Sequence, residues 1–331
     1  MNYKRIIKSR KTRIWILSLL NWIPDRVMVS LQYWIHTGRR LNFKNPKRFT
    51  EKLQLYKLYY RNPLMLRCTD KYEVRKVIEE IGLGNILIPL IGVYNKPSEI
   101  SFEDLPNEFV AKTTDGGGGN QVFICRNKYC LDKHEFFTKL NEWMSYPKGK
   151  SSGREWAYEN GYPRRIVIEE LIKENIRKDL PDYKFYCFEG KPLYCQLIDN
   201  RSSVETIDFY DMDWIHQDFV GLNPMCKNSG NIAPKPQNFE ELKAIATKLA
   251  GNYPFVRVDL YNTDETIYFG ELTFYPASGL GKFTPDNWDK KIGDLLKLDD
   301  IKLNSYKPNH TGMLDGGVER VSIKKVGGVN I

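Results

Sequence analysis

The chain has 331 residues, 41% hydrophobic and 27% charged, enough to bury a sizeable core in two domains or one lobed domain. That balance excludes a disordered chain. The net charge of +9, with Lys and Arg densest in the first 76 residues, favours anionic partners: nucleotide phosphates, acidic polysaccharide or an anionic membrane face.

Residues 1–45 form a basic lead-in. Ile14 to Ile23 is apolar and follows Lys and Arg, but it lacks a small-x-small cleavage site and is too short to span a bilayer. With Val27 to Ile35 beyond Pro24 it predicts two amphipathic helices bearing Trp15, Trp22 and Trp34. They suit packing on the main body or peripheral contact with the inner membrane face, with packing preferred. Residues 46–105 read as an N-terminal α/β segment. Its helices open at Thr50-Glu51-Lys52-Leu53 and at Thr69-Asp70-Lys71, the second stopping at Gly82, and a strand follows at 86–94.

Residues 106–170 predict a small lobe: a strand from 107, a glycine turn, a strand from Gln121 to Cys125, a helix from Asp132 to Met144, loop over 148–164, and a buried strand Arg165 to Ile168. Residues 171–300 predict a second lobe. It has a hairpin, Tyr183–Phe188 and Pro192–Ile198, around Glu189-Gly190-Lys191, a helix from Phe239 to Leu249, a hairpin over 255–274 and a last helix near 286–296. Residues 301–331 are a polar tail.

Several chemistries find no support. The six cysteines (Cys68, Cys125, Cys130, Cys187, Cys195, Cys226) form no Cys-x-x-Cys, so reduced thiols of a cytoplasmic protein are expected. His36, His134, His216 and His310 lack metal-ligand spacing. No RNP-like motif or Arg-flanked recognition helix is present, so nucleic acid is not an expected partner.

Two stretches carry chemistry. Phe109-Val110-Ala111-Lys112 is a strand running through Thr113-Thr114-Asp115 into Gly116, Gly117, Gly118 and Gly119. No Lys-Ser/Thr follows the glycines and the next residues are strand-like, so the loop is not a P-loop but a hairpin flap. Its bare backbone N–H groups suit phosphate oxygens, with Lys112 as a phosphate ligand. The bland alternative is a flexible turn, disfavoured because four glycines cost folding entropy without adding contacts. In the second stretch, alternation puts Arg257 and Asp259 on one strand face and Glu271 and Thr273 on one face of its partner. A register centred near 264 or 265 brings Asp259 to Glu271, with Arg257 alongside. Such a pair needs a cation, Mg2+ or the arginine itself in a cross-strand ion pair. Lys184 is either a second phosphate ligand or a solvated strand lysine, and Glu169 or Glu170 is a candidate ribose ligand. Asp211-Met212-Asp213 has the Asp-x-Asp form of metal-dependent glycosyltransferases, but its setting between aromatic strand residues favours a turn.

The series Asp70-Lys71, Phe109-x-x-Lys112 with its flap, Ile168-Glu169-Glu170, Asp182-Tyr183-Lys184, Arg257-Val258-Asp259 and Glu271-Leu272-Thr273 resembles the ATP-grasp superfamily. More narrowly, residues 40–298 resemble the TupA-like ATP-grasp proteins of bacterial teichuronopeptide, capsule and other surface-polysaccharide synthesis. The resemblance implies an α+β ATP-grasp fold, two lobes gripping ATP. It implies Lys71, Lys112 and Lys184 on the phosphates, Glu169 or Glu170 on adenosine, Asp259 and Glu271 on Mg2+, and Arg257 on the transferring phosphoryl group. Thr273 stands where the superfamily usually has a metal-binding Asn, which leaves a second metal less assured.

The expected activity is an ATP-dependent carboxylate–amine ligase joining an amine or amino-acid donor to a uronic-acid-containing surface glycan or its precursor. Arg201, Tyr275 and Ser278 are candidate acceptor contacts. A glycosyltransferase using Asp211 and Asp213, or a glycan kinase at the same nucleotide site, are the alternatives.

Overall fold

The structure is a computed structural model. It describes residues 19–117, 119, 121–146, 153–172, 180–199, 204–222, 226–263 and 266–298. Arg201, Gly118, the tail 301–331 and the first half of the Ile14 to Ile23 segment lie outside the described residues.

The described elements run in this order: α1 Asp25–Thr37, α2 Phe49–Tyr59, α3 Leu64–Cys68, α4 Glu73–Glu80, β1 Leu90–Tyr94, β2 Phe109–Thr113, β3 Val122–Cys125, α5 Lys133–Ser145, α6 Trp156–Glu159, β4 Ile166–Glu169. Then come β5 Asp182–Phe188, β6 Lys191–Asp199, β7 Thr206–Asp211, β8 His216–Gln217, β9 Val220–Gly221, α7 Phe239–Ala250, β10 Phe255–Asn262, β11 Ile267–Thr273, β12 Phe283–Thr284 and α8 Asn287–Leu295.

Strands β1 to β4 form an antiparallel sheet in the order β1-β4-β2-β3. Its core gathers Phe109, Ala111, Ile166 and Ile168 against Phe136, Leu140 and Trp143 of α5. Those three helix positions recur at i, i+4 and i+7, a single apolar stripe. Asp132 caps α5, accepting the N–H groups of His134 and Glu135 at 2.8 and 3.1 Å. Along β2, Phe109, Ala111 and Thr113 are buried while Val110 and Lys112 are half-exposed. The alternation that seats β2 therefore turns Lys112 away from its own core.

The second sheet is antiparallel, β11-β10-β5-β6-β7-β8. Its central strand β5 is buried along its whole length because both faces are covered. Phe185, opposite Val258 in the ladder, meets Phe239 of α7 on one side. Phe255 meets Phe49 of α2 on the other, ring centroids 5.0 Å apart. The β5–β6 hairpin closes through Glu189 and Gly190, both at positive φ (47° and 79°), the turn that matches strand twist. A Cβ at Gly190 would collide with the carbonyl of Gly251, which fixes that position as glycine.

The sequence predicts a strand over 86–94, but Gly84–Ile86 is a 3-10 turn and pairing begins at Leu90. Pro89 has no N–H for a ladder, so the strand starts after it. The predicted loop over 148–164 contains the single turn α6 among its described residues.

Candidate functional site

The polar residues of the large sheet collect on one face because the ladder puts them in register. Asp259 stands opposite Glu271 on β11 and Lys184 on β5, and Arg257 stands opposite Thr273 and Tyr186. The Arg257 guanidinium forks onto Asp259, Nε to Oδ1 and Nη2 to Oδ2 at 2.7 Å each. The same Nη2 donates to Glu271 Oε1 at 3.1 Å and Thr273 Oγ1 at 3.0 Å. Thr273 Oγ1 donates to Glu271 Oε1 at 2.9 Å. Lys184 Nζ bonds Asp259 and lies 2.7 Å from Asp182. Asp182 went unpredicted, although its place two residues before Lys184 on a strand puts it on the same face.

These contacts divide the carboxylates by environment. Burial opposes ionisation of Glu271, but Arg257, Lys184 and Lys71 outweigh it and hold the carboxyl down at about 2. Among these groups Glu271 is the most open, with 39% of its side chain exposed to solvent. Asp259, 2% exposed, is pushed above the usual carboxylate range by burial, against the pull of Arg257 and Lys184.

The small lobe brings its cations to the same region. Lys112 Nζ lies 2.5 Å from Glu169 Oε2, off the hydrogen-bonding direction, and Arg75 Nη1 donates to Glu169 Oε1 at 3.1 Å. Asp70 Oδ1 accepts the N–H groups of Tyr72 and Glu73 at 2.9 Å, holding Lys71 just outside α4. Lys71 then reaches the flap, its backbone N–H on Thr114 O at 2.9 Å and its Nζ on Gly116 O. Desolvation pushes the Lys71 amine below its ordinary value, and its charged neighbours are Glu271, Lys112, Asp115 and Glu169. Lys71 thus links the flap of one lobe to the carboxylate face of the other. Glu170 is exposed beyond the end of β4.

At the flap root, Thr113 Oγ1 and Gln121 Nε2 are buried without a hydrogen-bond partner among the described residues. Buried polar groups are rarely left so, and a hydroxyl and an amide beside a glycine loop are suitable donors to a phosphate. The metal question rests on the donor set. Among the described residues no group of three or more His, Cys, Asp or Glu side chains gathers as a cage. An ion here would rest on Asp259 and Glu271 and complete its shell with phosphate oxygens and water, as magnesium does. Two hard, ionisable oxygens on opposed strands fit that ion. In this structure Arg257 and Lys184 neutralise them.

Other candidates separate clearly. Asp211 Oδ1 accepts the N–H groups of Asp213 and Ile215 at 3.0 and 2.9 Å, so Asp211 closes the β7–β8 turn. Tyr275 is buried, its ring edge-on to Tyr56 and tilted against Tyr158. Ser278 follows Ala277 in a pair of left-handed residues, φ 56° and 48°. It is gripped by a residue the sequence did not flag. Lys57 Nζ donates to Ser278 O at 2.9 Å, Ser278 Oγ at 3.2 Å and Gly153 O at 2.8 Å. Desolvation brings the Lys57 amine down to about 8 despite Glu155 and Glu159 nearby. Arg75 and Lys57 carried no local signal, because their partners lie 94 and 221 residues away.

A family model described as TupA-like ATPgrasp matches residues 51–297, about three quarters of the chain. Comparison with curated proteins finds no match. Among solved structures, D-alanine–D-alanine ligase from Bacillus anthracis complexed with ATP aligns at 18% identity over 70% of this chain and 65% of that one, TM-score 0.42. The ATP-grasp ligase PsnB complexed with its minimal precursor aligns at 13% over 72% and 62%, TM-score 0.37. D-Alanine–D-alanine ligase from Helicobacter pylori aligns at 15% over 70% and 61%, TM-score 0.37. The chain spans about three fifths of the length of these structures, and at such scores they add little to the family model. That model covers both lobes and the whole polar face between them, and the chain belongs to the TupA-like ATP-grasp family, with its α+β ATP-grasp fold.

Proposed function

We propose that this protein is an ATP-dependent carboxylate–amine ligase acting on a uronic-acid-containing bacterial surface polysaccharide or its precursor. The carrying observation is the convergence of Lys71 with Glu271, Lys112 and Glu169, cations of a glycine-flap lobe facing the carboxylates of the other. Family membership supports the ATP-grasp reading, and the basic balance of the chain suits an acidic acceptor.

In this reading ATP lies under the flap, its phosphates met by Lys71, Lys112 and Lys184. Asp259 and Glu271 would hold a magnesium ion, which when bound would neutralise charge on the polyphosphate. The acceptor carboxylate attacks the γ-phosphorus and ADP leaves. Arg257, fixed by its fork on Asp259, presents positive charge to the phosphoryl oxygens as that bond forms. The amine then attacks the acyl carbon, phosphate leaves, and the amine proton passes to solvent. The flap excludes water that would otherwise hydrolyse the mixed anhydride.

The experiment is a screen of uronates and amines that follows ADP and phosphate release, with mass spectrometry of the product. The ligase reading expects both release products only when both substrates are present, and a product lighter than their sum by one water. Phosphate retained on the product identifies a kinase. Turnover of a nucleotide sugar that is lost on substituting Asp211 and Asp213 identifies a glycosyltransferase.

A further inference from the structure

Helix α1 has two apolar faces, and among the described residues only one has a partner. Met28, Val29 and Tyr33 are buried, with Val29 and Tyr33 fully so, and Tyr33 OH bonds Thr50 Oγ1 at 3.1 Å. On the other side Val27, Leu31, Trp34 and Ile35 recur at i, i+4, i+7 and i+8, and they are 56%, 44%, 56% and 39% exposed. Trp22, in the turn just before the helix, is 79% exposed. The helix is held firmly to the body. Arg154 donates to Leu20 O at 2.8 Å and pairs with Asp25 at 3.1 Å.

Charge says what covers the strip. The first 48 residues hold twelve Lys and Arg and one acid, Asp25, which is engaged by Arg154. Residues 49–331 hold the remaining 38 basic and 40 acidic residues, so the positive excess of the whole chain lies in this segment. Arg40, Lys44 and Lys47 are exposed immediately after the helix. Arg39 and Arg48 pair with Asp286, which leaves the exposed Arg40, Lys44 and Lys47 beside the apolar strip, an arrangement complementary to a surface apolar within and negative without. At 13 residues the helix is about 20 Å long, suited to lying flat. Among the described residues no helix is long and apolar enough to cross a membrane.

We infer that α1 is an interfacial membrane anchor, its Leu31 and Trp34 strip, with Trp22 before it, resting in the headgroup region of an anionic phospholipid bilayer. The body stays on the water side, joined through the Tyr33 face. Docking of this kind is independent of what the polar face between the lobes does.

The test is flotation of the full-length protein with two vesicle preparations, phosphatidylcholine alone and an equimolar mixture with phosphatidylglycerol. Wild-type protein floats with the mixed vesicles at least roughly tenfold better than with the neutral ones, and added salt weakens it. The Trp22→Ser, Leu31→Ser, Trp34→Ser variant loses flotation by about tenfold or more with unchanged circular dichroism and melting. If that variant misfolds, the lipid-charge and salt dependence of the wild type decides alone. Wild-type protein that stays with the soluble fraction in both preparations overturns the inference, as does a folded variant that still floats. So does a wild-type dimer in sedimentation that the variant converts to monomer, because a second copy then covers the strip.

Discussion

Asp259 and Glu271 face each other across the β10–β11 ladder, and one guanidinium, that of Arg257, bonds both. Arg257 therefore serves charge balance as well as the proposed phosphoryl transfer. Arg257→Met is expected to lower turnover by about 10²–10³-fold. It should also raise the Glu271 pKa from about 2 towards its ordinary value. Glu271 is depressed in the folded state, so its contribution to stability is present above the unfolded value and lost as pH falls towards about 2. In the variant the unfolded value is unchanged, so the contribution is smaller and its loss is complete at higher pH, which acid-unfolding curves will show.

Lys112 and Arg75 share Glu169, so their removal is not equivalent to removing the acid. Lys112→Met leaves Glu169 paired with Arg75, and the fold should persist while ATP affinity falls roughly 10–100-fold. Glu169→Ala leaves two cations without their buried partner and should cost about 3–5 kcal/mol in denaturant unfolding.

The flap glycines have unequal reasons. A Cβ at Gly116 would lie 2.8 Å from Thr113 Oγ1 and 3.1 Å from Gln121 Cβ, whereas one at Gly117 meets nothing within 4 Å. Gly116→Ala should cost about 1–3 kcal/mol and disturb the Lys71 contact. Gly117→Ala should remain within about 0.5 kcal/mol of wild type. Melting curves of the two variants separate them.

Lys57 predicts a pH dependence of the same sense as that of Glu271, in an alkaline window. Its amine falls from 10.5 to about 8 on burial, so the unfolded chain binds more protons between those values. The penalty is complete below about 8 and is relieved as pH rises towards 10.5. Lys57→Met should flatten the rise in stability across that window, measured by urea unfolding at stepped pH.

The face that carries Asp259, Glu271 and Arg257 was legible because alternation and a single hairpin centre fix it. Asp259 pairs with Glu271 and Arg257 with Thr273, the register centred on 265. The bulge beyond it was not legible. Leu260 pairs with Phe269, leaving Gly270 as the extra residue close under Asp259 O, a site where a Cβ would stand 3.0 Å from that oxygen. Short elements also escaped, because the five residues of α3 and four of α6 are too few to show a period. The ion pairs Arg75–Glu169 and Arg165–Asp70 span 94 and 95 residues and exist only once the lobes have folded.

Calorimetric titration of Mg·ATP into wild-type protein, Lys112→Met and Glu271→Gln tests the gripping of a nucleotide between the lobes most directly. The predicted result is saturable binding to wild type in the presence of magnesium, weakened about tenfold or more in each variant. Wild-type protein that gives no binding heat at several temperatures and no thermal shift with Mg·ATP, or variants that bind as tightly as wild type, would contradict it.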